Sequence, residues 1–232
     1  MNQELKSFSE SLEWHWPTKR TSKTSYFTHV LPALVTGLPL LFPDASPSLY
    51  ILGKIAMIYL AWPWIKKLTS LQNIFNIDWK TFSKSTLFLS IPAISFILIS
   101  PYLNIDTSSI KDHLQTHQLG AILLPMIAFL CVFNSALEET YFRGYLLHTV
   151  SQLSIHKQAL INAISFIPHH LLITLNFFEL PLALLLSFST GVAAWVWTYA
   201  HKKGLNITGL WLSHFILDII VIYGATLALN IK

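Results

Sequence analysis

Two adjacent carboxylates and an arginine stand at the end of a long apolar run. Glu138, Glu139 and Arg143 directly follow the stretch 119–137, which is long enough to cross a bilayer. Charged side chains at membrane depth are costly, are usually paired and mark a functional site by default. In a helix, Glu139 and Arg143 lie four apart on one face and can neutralise each other, whereas Glu138 points about 100° away and needs its own partner. The alternative, purely structural interpretation is that the glutamates only mark a helix end among the lipid headgroups.

Two later apolar runs carry three more ionisable side chains. His170 lies about 16 Å into the run 159–178, and His214 and Asp218 lie about 9 and 15 Å into the run 208–229, at 1.5 Å per residue. We expect all three to enter from the same membrane side as the glutamates. Together they supply a base, an acid and hydrogen-bond donors, which suffice to hydrolyse an amide with water. The same set would also suffice to bind a divalent ion.

Each of these residues also has a structural interpretation. A lone intramembrane histidine often holds two helices together. His214 and Asp218, four apart, could be a local orienting pair. His169 is expected to face a neighbouring helix or lipid-facing backbone, and no catalytic role is assigned to it. Pro168 frees a backbone carbonyl one turn earlier and predicts a kink beside His169 and His170, with room for water.

The composition is that of a membrane protein. Of 232 residues, 53% are hydrophobic and only 11% are charged, against roughly 25% charged in soluble domains. The net charge of +4 arises from lysines scattered between apolar runs, so we do not expect nucleic acid as a partner. The single cysteine, Cys131, excludes an internal disulfide. The first 25 residues are polar and do not resemble a signal peptide.

The apolar runs predict an all-α, multi-pass transmembrane helical bundle of about seven spans in one domain, residues 26–232, after a polar segment at 1–25. The spans are predicted at 26–42, 48–65, 86–103, 119–137, 159–178, 180–200 and 208–229. Lys54 lies within the second span, where we expect it to snorkel, although a functional role stays open. Apart from Lys54 and Arg143, a cytoplasmic N-terminus places eleven lysines and arginines inside and two outside.

Three motifs resemble those of the CAAX protease and bacteriocin-processing (CPBP, or Abi) family of intramembrane proteases. Residues 138–144 match its Glu-Glu-x-x-x-Arg motif, and residues 166–170 match Phe-x-x-x-His, which selects His170 rather than His169. Residues 214–218 match His-x-x-x-Asn/Asp. Gly191 and the turn at 203–205 also look like the family pattern. The resemblance covers residues 119–218, and three motifs in order on three successive polar-bearing spans are a strong signal.

The resemblance implies a glutamate-dependent endopeptidase whose site lies within the membrane. Glu138 would be the general base, with His170 helping to hold the water. Glu139 and Arg143 would brace the site. His214 and Asp218 would stabilise the oxyanion.

Family members have been described both as metal-dependent and as metal-free enzymes. The expected cofactor is therefore none or a divalent metal such as zinc, bound if present by Glu138, His170, His214 and Asp218. One departure matters here, because an ionised Asp218 cannot donate a hydrogen bond as asparagine would. It must be protonated, orient His214 or ligate a metal.

The favoured hypothesis is an intramembrane peptidase acting on a membrane-associated protein or peptide in the lipid bilayer. A CAAX-like tail, a leader peptide and a C-terminal sorting anchor are all conceivable substrates. The rival hypothesis is an ion- or proton-coupled transporter, since chains of Glu, His and Asp also relay protons. Against it, the polar set is confined to the second half of the chain and no inverted repeat is visible. A catalytically silent relative is disfavoured by the intact motif set.

Overall fold

The structure is a computed structural model that describes residues 47–68, 76–102, 108, 130–175 and 177–228. Over these ranges the chain is helical and contains no strand, which confirms the predicted all-α class. The helices are α1 (Pro47–Leu68), α2 (Trp79–Ile99), α3 (130–149), α4 (Ile155–Thr174), α5 (Leu180–Lys202) and α6 (Ile207–Ala228). A 3₁₀ turn, Ser100–Tyr102, extends α2.

Two of these helices are long and apolar enough to cross a membrane, Trp79–Tyr102 and Leu180–Lys202. Two shorter apolar helices cover Leu52–Trp62 and Ile207–Ile222. The span predicted at 26–42 and the segment 1–25 lie outside the described residues. The count of seven spans therefore stays a prediction.

The start of α2 differs from the prediction. The third span was expected to begin at residue 86 after an amphipathic connector, but the helix begins at Trp79. Asp78 is the reason, because its carboxylate accepts hydrogen bonds from the backbone N–H groups of Lys80 and Thr81 and from the Thr81 hydroxyl. The Thr81 hydroxyl and these N–H groups hold the pKa of Asp78 below its usual range.

Helix α3 runs through the glutamate motif instead of ending before it. Its α-helical turn Ser135–Glu139 is followed by a π-helical stretch, Thr140–Leu146, and then by a last α-helical turn, Leu147–Thr149. A first π-helical stretch, Leu130–Asn134, precedes them. Glu138 therefore lies inside α3, which continues to Thr149, rather than at a helix terminus. Wide π-helical turns occur frequently at functional sites.

Two apolar clusters form the core of the described helices. The first joins α1, α3, α4 and α5 and contains Met57, Ala61, Tyr141, Phe142, Leu146, Phe166 and Ala194. The second joins α2, α5 and α6 and contains Leu89, Ala193, Trp197, Ala200, Leu205 and Leu210. Both glutamates of α3 are buried inside the bundle.

The helix pair α4–α5 and the turn after α5 depend on two glycines. A Cβ at Gly191 would lie 2.6 Å from the Ile167 side chain, so glycine lets α5 approach α4 closely. Gly204 has φ of 108°, a left-handed conformation that other residues adopt at a cost. The Leu205 N–H then donates to the Ala200 carbonyl at 3.0 Å, closing the end of α5 before α6 begins.

Candidate active site

Glu138 is buried, with 1% of its surface exposed, and three side chains converge on one of its oxygens. Asn134, one turn earlier on α3, donates from Nδ2 to Oε1 at 2.8 Å. Lys54 on α1 places Nζ 3.3 Å from the same oxygen. His169 on α4 places Nε2 3.4 Å from it. Three helices thus position one carboxylate, and all three contacts fall on Oε1.

Glu139 is also buried and belongs to a different set of contacts. Arg143 donates from Nη1 to Glu139 Oε1 at 2.8 Å, and neither side chain has any exposed surface. The contact predicted from their spacing is therefore present. The Arg143 guanidinium also lies 5.2 Å from the ring centroids of both Phe166 and Trp197, within the range of cation–π attraction.

His214 lies between two carboxylates. Its Nδ1 is 2.8 Å from Glu139 Oε1 and its Nε2 is 3.5 Å from Asp218 Oδ1. Because a carboxylate accepts, Nδ1 carries the proton of the first contact. The imidazole stacks on Trp197 with ring centroids 4.5 Å apart, and the indole N–H of Trp197 donates to Ser213 Oγ at 3.0 Å. Asp218 is the partly accessible end of this row, with 28% of its side chain exposed.

His170 is held by its own helix. Its Nδ1 lies 3.0 Å from the Phe166 carbonyl and its ring stacks on the Phe166 ring at 4.4 Å between centroids. A carbonyl only accepts, so Nδ1 is protonated and Nε2 of the neutral ring is left as an acceptor. His169 and His170 pack edge to face, with centroids 5.0 Å apart. Thus His169, to which the sequence analysis assigned no catalytic role, is the histidine that contacts Glu138.

The structure brings the predicted residues other than His170 together in two neighbouring groups. Glu138 meets residues of α1 and α4, while Glu139, Arg143, His214 and Asp218 form a continuous row. Adjacency of the two glutamates on α3 places the groups side by side. The interpretation of the glutamates as a helix end among headgroups is wrong, because both are buried within the bundle.

Sequence reasoning missed Asn134 and Trp197 as neighbours of the site and expected Lys54 to snorkel. The Asn134 contact had a signal, since it precedes Glu138 by the same four residues that separate Glu139 from Arg143. The snorkelling expectation is wrong: the Lys54 ammonium reaches the buried carboxylate, and only 12% of the side chain is exposed. Nothing in the sequence indicated that Trp197 lies beside the site, because its position in an apolar span does not distinguish it from the other tryptophans.

The four residues named as ligands in case a metal is bound do not lie together as one cluster in this arrangement. Among the described residues, no group of three or more His, Cys, Asp or Glu side chains is placed to hold a metal ion. Glu138 has an ammonium partner and Glu139 has a guanidinium partner instead. His170 uses Nδ1 on a backbone carbonyl. We therefore derive no catalytic step through a metal, and the cofactor stays a prediction.

Residues 120–220 match the family described as type II CAAX prenyl endopeptidase Rce1-like. The matched region contains all three motifs. The members of this family are membrane-integral proteases that act on membrane-associated proteins. The matched region begins after α1 and α2. No curated protein and no solved structure matches the chain.

Proposed function

We propose that this chain, whose residues 120–220 match the CAAX protease family, hydrolyses a peptide bond of a membrane-associated substrate with a water activated by Glu138. The supporting observation is the geometry of Glu138, a buried carboxylate held through one oxygen by Asn134, Lys54 and His169. Such an arrangement orients the carboxylate through Oε1. The proposed base is therefore preorganised for proton transfer.

In the proposed reaction, Oε2 of Glu138 takes a proton from water while the water oxygen attacks the scissile carbonyl carbon. The resulting tetrahedral intermediate carries a negative oxygen. When the carbon–nitrogen bond breaks, Glu138 returns the proton to the leaving amine. The products are a new carboxyl terminus and a new amino terminus, and the glutamate is restored.

His170 is proposed to hold the attacking water. Its Nδ1–H is used on the Phe166 carbonyl, so its Nε2 is the atom that can accept a hydrogen bond from that water. The stacked Phe166 ring fixes the plane of the imidazole. A fixed acceptor beside the base limits the orientations that the water can adopt.

His214 is proposed to donate to the oxyanion. Glu139 holds its Nδ1, and Arg143 balances the charge of Glu139, so the ring presents Nε2 toward Asp218. The carboxylates of Glu139 and Asp218 on either side favour the imidazolium form of His214, in which Nε2 also carries a proton. The long 3.5 Å contact between Nε2 and Asp218 leaves this Nε2–H donor available for an oxygen that develops charge nearby. Asp218 then serves to orient His214.

We propose that the protein is multi-pass with a cytoplasmic N-terminus, as the charge distribution predicts. Two contacts support placing the starts of α2 and α6 on one membrane side. Asn206 donates to the Asn76 carbonyl at 2.8 Å just before these helices, and Thr86 donates to Ser213 at 2.9 Å further in. The proposed substrate is a CAAX-like tail, a leader peptide or a C-terminal sorting anchor.

Purified protein in liposomes tests the proposal. A farnesylated peptide ending in a CAAX sequence, an unprenylated copy and a hydrophobic leader peptide are incubated with wild type and with Glu138→Gln, and products are identified by mass spectrometry. We expect cleavage of at least one peptide by wild type and none by the variant. Cleavage that survives in Glu138→Gln would refute the assigned base. Proton flux across the liposome membrane without any cleavage would favour the transporter hypothesis. The two glutamates offer that hypothesis no support, because each is paired with a cation.

A further inference from the structure

Lys54 lies outside the region that matches the family, yet it contacts the central carboxylate of the site. It is 84 residues away from Glu138 in the chain and places Nζ 3.3 Å from Oε1. The family match begins at residue 120, so neither the match nor the motifs assign any role to α1.

The register of α1 explains why Lys54 faces inward. Lys54, Met57 and Ala61 follow one another at helical spacing, and Met57 and Ala61 are fully buried against the apolar residues of α3 and α4. Leu52 and Tyr59, on the other side of α1, are exposed. Lys54 thus extends the packed stripe of the helix rather than its outer face.

The charge of Lys54 also fits its position. Glu138 is nearly inaccessible to solvent, and a buried carboxylate needs an opposite charge close by. Arg143 is already engaged with Glu139 at 2.8 Å. The ammonium of Lys54 therefore lies where the first glutamate needs a cation, as Arg143 does for the second.

We propose that Lys54 is a positioning residue for Glu138, so that α1 forms part of the active site. Lys54 balances the carboxylate and fixes Oε1, which turns Oε2 toward the water. The catalytic part of this inference depends on the proposed peptidase function, whereas the ion pair itself does not.

Steady-state kinetics test the catalytic part. Lys54→Met keeps the length of the side chain but removes its charge, and Lys54→Arg keeps the charge. We expect Lys54→Met to lower kcat about 10- to 100-fold with KM within about twofold, as is typical for partners that orient a catalytic group. Lys54→Arg should recover most of the loss. The matched control is Lys84→Met, because Lys84 is an exposed lysine on α2.

Thermal unfolding in detergent tests the ion pair without any activity assay. Lys54→Met should lower the unfolding midpoint by several degrees in the wild-type background, because it leaves a buried carboxylate without its cation. In the Glu138→Gln background the same change should have little effect or raise the midpoint. If Lys54→Met alone does not fold, recovery of folded protein in the double variant supports the pair, and failure of both overturns it.

The outcomes separate the two ideas. Equal midpoint shifts in both backgrounds, or an unchanged kcat in an active enzyme carrying Lys54→Met, would overturn the role of Lys54. A background-dependent shift in a protein that cleaves none of the peptides would leave the ion pair standing and refute the peptidase function.

Discussion

His214 donates from Nδ1 to Glu139 at 2.8 Å, although the two residues lie 75 positions apart in the chain. This contact gives the second glutamate of the motif a task distinct from that of the first. Glu139 joins Arg143 on its own helix to His214 on α6, while Glu138 faces α1 and α4. The pair of adjacent carboxylates therefore serves two different parts of the site.

Arg143→Ala is expected to destabilise the protein and to lower its activity. Arg143 and Glu139 are fully buried, and removal of one partner of a buried ion pair costs roughly 3–5 kcal/mol. Glu138→Gln should keep a near-normal yield, because the amide retains an oxygen that Asn134 and Lys54 can contact, but should abolish activity. Yield, unfolding midpoint and peptide cleavage are measured for both. Normal yield and turnover in Arg143→Ala would show that the Glu139–Arg143 ion pair is not needed to support the site.

The two adjacent histidines should differ in their kinetic effects. His170→Ala removes the proposed acceptor for the attacking water and should lower kcat by about 10²–10⁴. His169→Ala removes one contact of Glu138 Oε1 while Asn134 and Lys54 remain, so we expect a loss of about tenfold. Peptide cleavage under single-turnover conditions measures both. A loss in His169→Ala as large as that in Glu138→Gln would transfer the water-holding role to His169.

Asp218→Asn distinguishes two forms of chemistry. Asparagine has nearly the same shape, and its amide oxygen can still accept from His214 Nε2 and keep that ring oriented. Its N–H₂ group adds a second donor for the oxyanion, so the proposed mechanism predicts activity retained or raised. A metal site would respond in the opposite way, because an amide is a poorer ligand than a carboxylate. Turnover and zinc content are measured together. Stoichiometric zinc in the active protein, lost with activity in Asp218→Asn, would reverse our preference.

Trp197 is expected to matter through His214 and Arg143. Trp197→Ala removes the ring that stacks on His214 and lies beside Arg143, and loss of a buried tryptophan costs about 3–5 kcal/mol. Trp197→Phe keeps an aromatic ring but loses the hydrogen bond to Ser213 and part of the buried volume, so the loss of stability should be smaller than in Trp197→Ala. Trp195→Ala on the same helix is the control. Equal unfolding midpoints for the Ala variants at 195 and 197 would contradict the prediction.

Reporter fusions check the predicted orientation in the membrane. Fusions after Lys67 and after Lys203 should report the cytoplasm, because both follow lysine-rich helix ends. A fusion after Ile110 should report the opposite side. Disagreement between the Lys67 and Lys203 fusions would show that the seven-span map is wrong.

The later helices could be predicted from the sequence because apolar runs in a bilayer have a required length. The predicted spans at 180–200 and 208–229 agree with α5 and α6 to within two residues at each end. The end predicted at residue 137 is wrong for a physical reason. The sequence analysis ended the helix where charge begins, but the charges find partners on α1, α4 and α6, so the helix continues to Thr149.

The site could be predicted only where its contacts are local. Helical spacing suffices to pair Glu139 with Arg143, and the motif resemblance selects His214 and Asp218. The contact of Lys54 with Glu138 depends on how α1 packs against α3, which no spacing within the chain reveals. The choice between His169 and His170 as the neighbour of Glu138 also depends on the rotation of α4 about its axis.

The two contact sets of α3 have a mechanical consequence. Charged contacts on two sides of the helix, toward Lys54 on α1 and toward His214 on α6, fix its angle about its own axis and its position along that axis. A rotation that tightened one ionic contact would lengthen the other. These contacts therefore oppose both rotation and sliding of helix α3 against its neighbours.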